Sequence, residues 1–158
     1  MKNNCDFEKL RIASDEGVKF LLEQQNSNGS YPGHHKGASS YWGIPLALMM
    51  SGYNLETKNL FDWIRENSFS LDGDIGKIPE IDRGYNYPYE KAWLIEGAHR
   101  FGQFDISYLG MKFLRKFWDE ETGGFFSTTN PEISSEKSDT KMDLWVTSGC
   151  ARAALYMG

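Results

Sequence analysis

The sequence predicts an all-α fold made of three α-helical hairpins, each an outer helix followed by an inner one. Three observations predict it. An amphipathic segment recurs along the chain, a nearly all-apolar segment recurs between its copies, and no strand-like alternation or Asn-Gly hairpin signal competes.

The amphipathic segment occurs twice in close copy. Gly17-Val18-Lys19-Phe20-Leu21 runs through Gln24-Gln25 to a turn at Asn28-Gly29 and then to Tyr31. Gly110-Met111-Lys112-Phe113-Leu114 runs through Phe117-Trp118 to Gly123-Gly124 and then to Phe125-Phe126. A weaker copy, Leu60-Phe61-Asp62-Trp63-Ile64, closes at Asp72-Gly73-Asp74. In the first copy Phe7, Leu10, Gly17, Phe20, Leu21 and Gln24 follow helical spacing, and Lys9, Arg11, Glu16 and Glu23 fall on other faces. Such helices cover a core on one side and meet water on the other. They are expected near residues 6–26, 56–68 and 105–118.

The second segment carries small and apolar residues all round, as a helix contacted on most sides does. Its copies cover residues 41–52, 92–102 and 145–158, and each ends at glycine, a common helix terminator. Inner helices are expected near 40–52, 89–102 and 141–157. The repeat length of roughly 45–55 residues suits a stacked supersecondary unit, and three units suffice for a shared core.

Composition narrows the function. A chain of 158 residues predicts one domain with a core of its own. Aromatics reach 15%, a surplus that has to pack inside or line a site. The net charge of −5 comes without a basic stripe, which argues against nucleic acid. No apolar run approaches a membrane span, and the N-terminal residues lack an apolar secretion core, so a cytoplasmic location is expected. Cys5 and Cys150 match no metal or redox spacing and read as free thiols. No phosphate cradle, serine elbow or zinc-protease motif is present, and neither a metal nor a cofactor is expected.

The first repeat, from Phe20-Leu21 through Gln25 to Gly29-Ser30-Tyr31, resembles the QW motif of squalene and hopene cyclases, with Tyr in place of Trp. The third resembles it more loosely, with Trp118 in place of the Gln and Phe125 or Phe126 as the closing aromatic. The chain as a whole resembles the terpene-cyclase and prenyltransferase superfamily of α/α toroids. That resemblance implies a partial α/α toroid, three hairpins being half of a six-hairpin ring. An open flank would expose a large apolar patch. The expectation is therefore that the chain is a fragment lacking a C-terminal half, or that another copy covers the flank as a homo-oligomer. Two departures stand out. Asp72-Gly73-Asp74-Ile75 lacks the final acid of the cyclases' Asp-x-Asp-Asp motif and occupies the turn position, so it reads as a turn. The Asp, Cys and His zinc ligands of prenyltransferases have no counterpart around Cys150.

Loops 27–40, 70–88 and 119–140 enter the inner helices at one end of the array. Long loops in a compact domain are often functional, and this rim is the expected pocket. His34 and His35 are candidate general bases, or plain polar loop residues. Glu90 shares a helix face with Trp93, and apolar surroundings would raise its pKa and suit it to donate a proton. Asp143 is a second candidate acid. For both carboxylates the plainer role is to complement a helix N-terminus. Glu96 lies one turn before His99, and the two would form an acid/base unit if that face looks inward; otherwise His99 is a packed, hydrogen-bonded core residue.

The leading expectation is an acid-initiated, terpenoid-cyclase-like isomerase. Glu90 or Asp143 would protonate an apolar or polycyclic substrate. Tyr41, Trp42, Tyr87, Tyr89, Trp93 and Trp145 would line the cavity, with Trp42, Tyr89 and Trp93 stabilising positive charge. Two alternatives stay open. A carbohydrate-active enzyme (epimerase, lyase or glycosidase) would use the same carboxylates as an acid/base pair on a sugar-like substrate. A helical interaction module would need no catalysis.

Overall fold

In the computed structural model, which describes residues 6–33, 38–75, 87–127 and 142–158, six α-helices follow one another. They are α1 (Phe7–Gln24), α2 (Ile44–Met50), α3 (Asn54–Asn67), α4 (Tyr87–Arg100), α5 (Phe104–Leu114) and α6 (Leu144–Met157). Among the described residues extended structure is limited to isolated bridges, such as Phe69 with Ile75 and Trp118 with Phe125. The chain is all-α.

Local chemistry sets the helix ends. Asp6 caps α1 by accepting a hydrogen bond from the Lys9 amide (3.3 Å), and Asp143 caps α6 through the Val146 amide (2.7 Å). A short 3₁₀ turn, Arg115–Phe117, continues α5 to the expected end of the third outer helix. The first inner segment differs from the single helix expected over 40–52. It is a 3₁₀ turn, Ala38–Tyr41, followed by the separate helix α2. Pro45 sits in the first turn of α2, where its missing N–H costs nothing; further into a continuous helix it would remove a ladder bond.

Helices α2, α4 and α6 pack side by side with α4 in the middle, and α4 also packs along α5. Ala92, Leu94, Ile95 and Ala98 of α4 are wholly buried. Gly110 lets α5 come close: a Cβ there would lie 2.7 Å from Ile95 Cγ1. At the other extreme, α1 buries only Val18 and leaves Phe7, Leu10 and Phe20 exposed.

Each outer helix is followed by the same turn. In the first, the Asn26 amide donates to Ser30 O (2.8 Å) and the Gly29 amide to Asn26 O (2.9 Å). In the second, the Ser70 amide donates to Asp74 O (3.0 Å) and the Gly73 amide to Ser70 O (2.9 Å). In the third, one residue longer, the Asp119 amide donates to Gly124 O (2.9 Å) and the Gly123 amide to Asp119 O (2.8 Å). Buried Tyr31, Ile75 and Phe125 follow. The turn glycine has positive φ each time (87°, 90° and 74°). In the first two units it also presses on the next outer helix. A Cβ on Gly29 would sit 2.1 Å from the Asn59 carbonyl oxygen, and one on Gly73 would sit 2.0 Å from that of Leu109. Asp72-Gly73-Asp74 is thus a stacking turn.

Asp74 has a second role. Its Oδ1 lies 2.8 Å from Lys91 Nζ in an ion pair whose side chains are 1% and 0% exposed. Lys91 Nζ also donates to the Ile75 carbonyl. The pair ties the second turn to the middle of the core.

Gly73→Ala should destabilise the protein by about 2–4 kcal/mol, through left-handed strain plus a backbone clash. Gly52→Ala, with positive φ but open space around its Cβ, should cost about 1 kcal/mol. Urea unfolding midpoints check both. Lys91→Met strands a buried carboxylate and should cost about 3–5 kcal/mol in the same assay.

Candidate functional site

Four of the aromatic residues picked out in the sequence converge at the N-terminal ends of α4 and α6. Trp42, in the kink before α2, lies 6.0 Å from Tyr89 and 5.2 Å from Trp93 between ring centroids. Tyr89 and Trp93, one turn apart on α4, are 6.2 Å apart. Tyr89 also meets Trp145 at 5.3 Å. The rings are tilted or edge-on to one another, as their quadrupoles prefer. Three segments contribute: Trp42 from the kink before α2, Tyr89 and Trp93 from α4, and Trp145 from α6. Gly149 lets Tyr89 lie on α6, since a Cβ there would come 2.5 Å from the Tyr89 ring. The cluster stands at the surface, with Trp42 38% and Trp145 62% exposed.

A buried charge network that the sequence reading did not foresee adjoins it. Glu96, 2% exposed, pairs with Arg100 (3.0 Å) on its own helix and with Arg152 (2.8 Å) on α6. Each guanidinium also covers a ring. Arg152 lies 3.4 Å over Trp93, and Arg100 lies 3.8 Å over Tyr156. The Glu96–Arg100 half has the i, i+4 spacing that a sequence can show; the Arg152 half needs the fold. Glu96 therefore does not orient His99. The His99 ring packs on Phe104 and Tyr108 at 5.4 and 5.8 Å, and its Nδ1 lies 3.3 Å from Ser107 Oγ.

Tyr41 lies apart from this cluster. Its hydroxyl donates to the Tyr31 carbonyl (2.8 Å), and its ring packs on Trp63 at 5.5 Å. It lines an open apolar cavity of about 250 Å³ with Phe20, Leu21, Tyr31, Pro32 and Ile44. That volume is below the usual range for small-molecule pockets, so the cavity does not suit a polycycle. The Tyr31 hydroxyl is buried with no hydrogen-bond partner among the described residues. Burial, and then the charge of Glu56, push this phenol up to about 12.

Of the candidate acids, Asp143 uses Oδ1 to cap α6, while its Oδ2 is buried without a hydrogen-bond partner among the described residues. It stands two residues before Trp145. Glu90 is half-buried in the first turn of α4 and is engaged with a neighbour. His34, His35 and Cys5 lie outside the described residues, as does the side chain of Tyr87. So do most of the rim loops 70–88 and 119–140. Among the described residues no group of three potential ligands could hold a metal ion. Nor is any helix long and apolar enough to cross a membrane.

The outcome is an all-α chain in which α2, α4 and α6 lie side by side, with an aromatic cluster at one end of that row. No protein family, no curated protein and no solved structure matches it.

Cys150, wholly buried on α6 behind this cluster, is held well away from reactivity. Burial, and then the charge of Asp143, push its thiol up to about 12. In the unfolded chain the thiol ionises near pH ~8.5 and tyrosine near ~10, so above those values the unfolded state sheds protons that the folded state keeps. Stability from both groups is complete below the unfolded values and is lost as pH rises toward about 12. Urea midpoints should fall steadily above pH ~9, with Cys150 contributing about 2 kcal/mol of the loss by pH ~10. Cys150→Ala should flatten that part of the curve, and a disulfide reagent should label Cys150 only in the unfolded protein.

Proposed function

We propose that the chain is an α/α-toroid protein of terpenoid-cyclase character, whose aromatic cluster receives an apolar or polycyclic substrate and stabilises positive charge on it. The supporting observation is the convergence of Trp42, Tyr89, Trp93 and Trp145 from three segments onto one surface. One face of Trp93 already holds a cation, the Arg152 guanidinium, in the arrangement such a role requires. Trp42, Tyr89 and Trp145 are the rings left to meet a ligand. Asp143 is the acid of this reading. Its Oδ2 lacks a hydrogen-bond partner among the described residues, and Oδ1 holds the group in place through the helix cap. The proton would pass from the Asp143 carboxyl to a double bond of the substrate, leaving a carbocation opposite the rings and a carboxylate on the enzyme.

The carbohydrate reading shares the rings but needs a second carboxylate in acid/base partnership with the first. Among the described residues, Glu96 is engaged by two arginines and Glu90 by another neighbour, which favours the cyclase-like reading.

Tryptophan fluorescence titrations with protonated N,N-dimethyldecylamine, a carbocation mimic, and with cellobiose test the reading. Saturable quenching by the amine is expected, weakened about 5-fold by Trp145→Ala. Asp143→Asn keeps the cap and should leave the melting curve unchanged while weakening amine binding. Binding of cellobiose in place of the amine would transfer the site to the sugar reading, and binding of neither would reduce the cluster to packing.

A further inference from the structure

Among the described residues the stacking joint occurs twice, and its two halves stand exposed, one on the third turn and one on α1. We infer that a second copy of this chain completes it, the α6 end of one copy seating the α1 helix of the other.

The tail half is the third turn. Gly123 repeats the hydrogen bonding of Gly29 and Gly73 but, unlike them, has nothing within 4 Å of its Cβ position among the described residues. Trp118 stands where Gln25 and Phe69 stand in the first two units. Gln25 reaches the next outer helix, with its Nε2 donating to Glu56 O at 2.9 Å. Trp118 is 39% exposed. Ala151 on α6 falls where α4 has Ile95 when the two helices are aligned on their closing glycines. Ile95 is wholly buried under α5, whereas Ala151 is exposed.

The head half is α1. It repeats the Gly-x-Lys-Phe-Leu of α5, yet two of its positions are exposed where those of α5 are buried. Phe113 is 3% exposed and its counterpart Phe20 is 61% exposed. Gly110 is pressed against Ile95, while its counterpart Gly17 has nothing within 4 Å of its Cβ position. What buries the α5 face is the preceding unit, and among the described residues no unit covers α1 in that way.

Charge fits as well. Between the second and third units Arg65 pairs with Asp105 at 2.7 Å. Exposed Arg115 occupies the position of Arg65 in the third unit. The α1 counterpart of Asp105 is Ile12, flanked one turn to either side by Glu8 and Asp15. Both acids are exposed and now hold only Arg11, on α1 itself.

Tail and head are different surfaces, so the contact is heterologous. The smallest assembly that leaves neither surface bare is a pair in which each copy gives its tail to the head of the other. An apolar contact that covers α1 and the α6 flank is what a stable pair needs.

Sedimentation velocity on the full chain tests this. A species of twice the 18.1 kDa chain mass is expected. A monomer at concentrations up to about 100 µM would overturn the proposal, and so would an open ladder of masses. Gly17→Leu separates pairing from folding. It adds helix propensity at an open position, so the melting temperature of the monomer should hold or rise, but it blocks close approach and should weaken pairing at least about 10-fold. Ala151→Arg should weaken pairing from the tail side. Mixing the two variants restores one intact joint, from the tail of the Gly17→Leu chain and the head of the Ala151→Arg chain. A heterodimer should therefore form where neither variant self-associates. A mixture that stays monomeric, or a Gly17→Leu variant that pairs like the parent, would show that α1 does not sit on α6.

Discussion

The rest of the structure depends on a contact between backbones. A left-handed glycine closes each turn, and in the first two units it lies against a carbonyl of the next outer helix, with no room for a Cβ between them. Side-chain packing tolerates small changes of size, whereas a backbone-to-backbone contact allows almost none. It therefore fixes where each outer helix begins relative to the unit before it. The inner helix that follows inherits that placement. Trp42, Tyr89 and Trp145 come from the turn before α2, from α4 and from α6, and their rings meet within 6.0 Å because those helices lie side by side in one register.

The seam between α4 and α6 is held by charge placed among rings. A carboxylate as buried as that of Glu96 is tolerable only when its ionic partners are close, and two guanidiniums supply that. Each guanidinium is in turn covered on one side by a ring, Trp93 or Tyr156, and loses little by leaving water. The arrangement fixes α6 about its own axis. Val146, Cys150 and Ala153 then face the core, and Trp145 and Leu155 cannot. The exposure of Trp145, on which the proposed binding surface depends, follows from a salt bridge two turns further along the helix.

What was legible in the sequence was whatever the repeat needs chemically. The turn glycines and the buried residue after each turn recur because each unit solves the same packing problem. The aromatic grouping was legible too, because the rings lie at the entrances to the inner helices, where the long loops place them. The break at Trp42-Gly43 was not. Apolar continuity from Tyr41 to Met50 hides a new helix start that only Pro45 signals. Lys91 was also missed. A lysine in an apolar helix reads as an outward-facing residue, and its partner Asp74 sits in a turn whose stacking role gives no hint of a buried ion pair. Arg152 was missed for a similar reason, since a contact across 56 residues to Glu96 follows no periodicity.

The two copies of Gly-x-Lys-Phe-Leu carry the argument a step further. Helix periodicity shows which face of a segment is meant to be covered; it does not show what covers it. In α5 the cover is α4 together with the turn at Ile75, and Phe113 disappears into the core. In α1 Leu21 still packs on the core, but Gly17 and Phe20, the counterparts of Gly110 and Phe113, stand exposed. Contacts among the described residues leave Phe7, Leu10 and Phe20 exposed, and α1 buries Val18 alone there. A scattered exposed leucine or phenylalanine asks for no explanation. A complete copy of a core-facing helix face, with its close-approach glycine in place, is a different matter, since the glycine costs helix stability and gains nothing where no neighbour comes near. The glycine at position 17 suits a close neighbour, and a surface shaped to be that neighbour is formed by the third turn and α6.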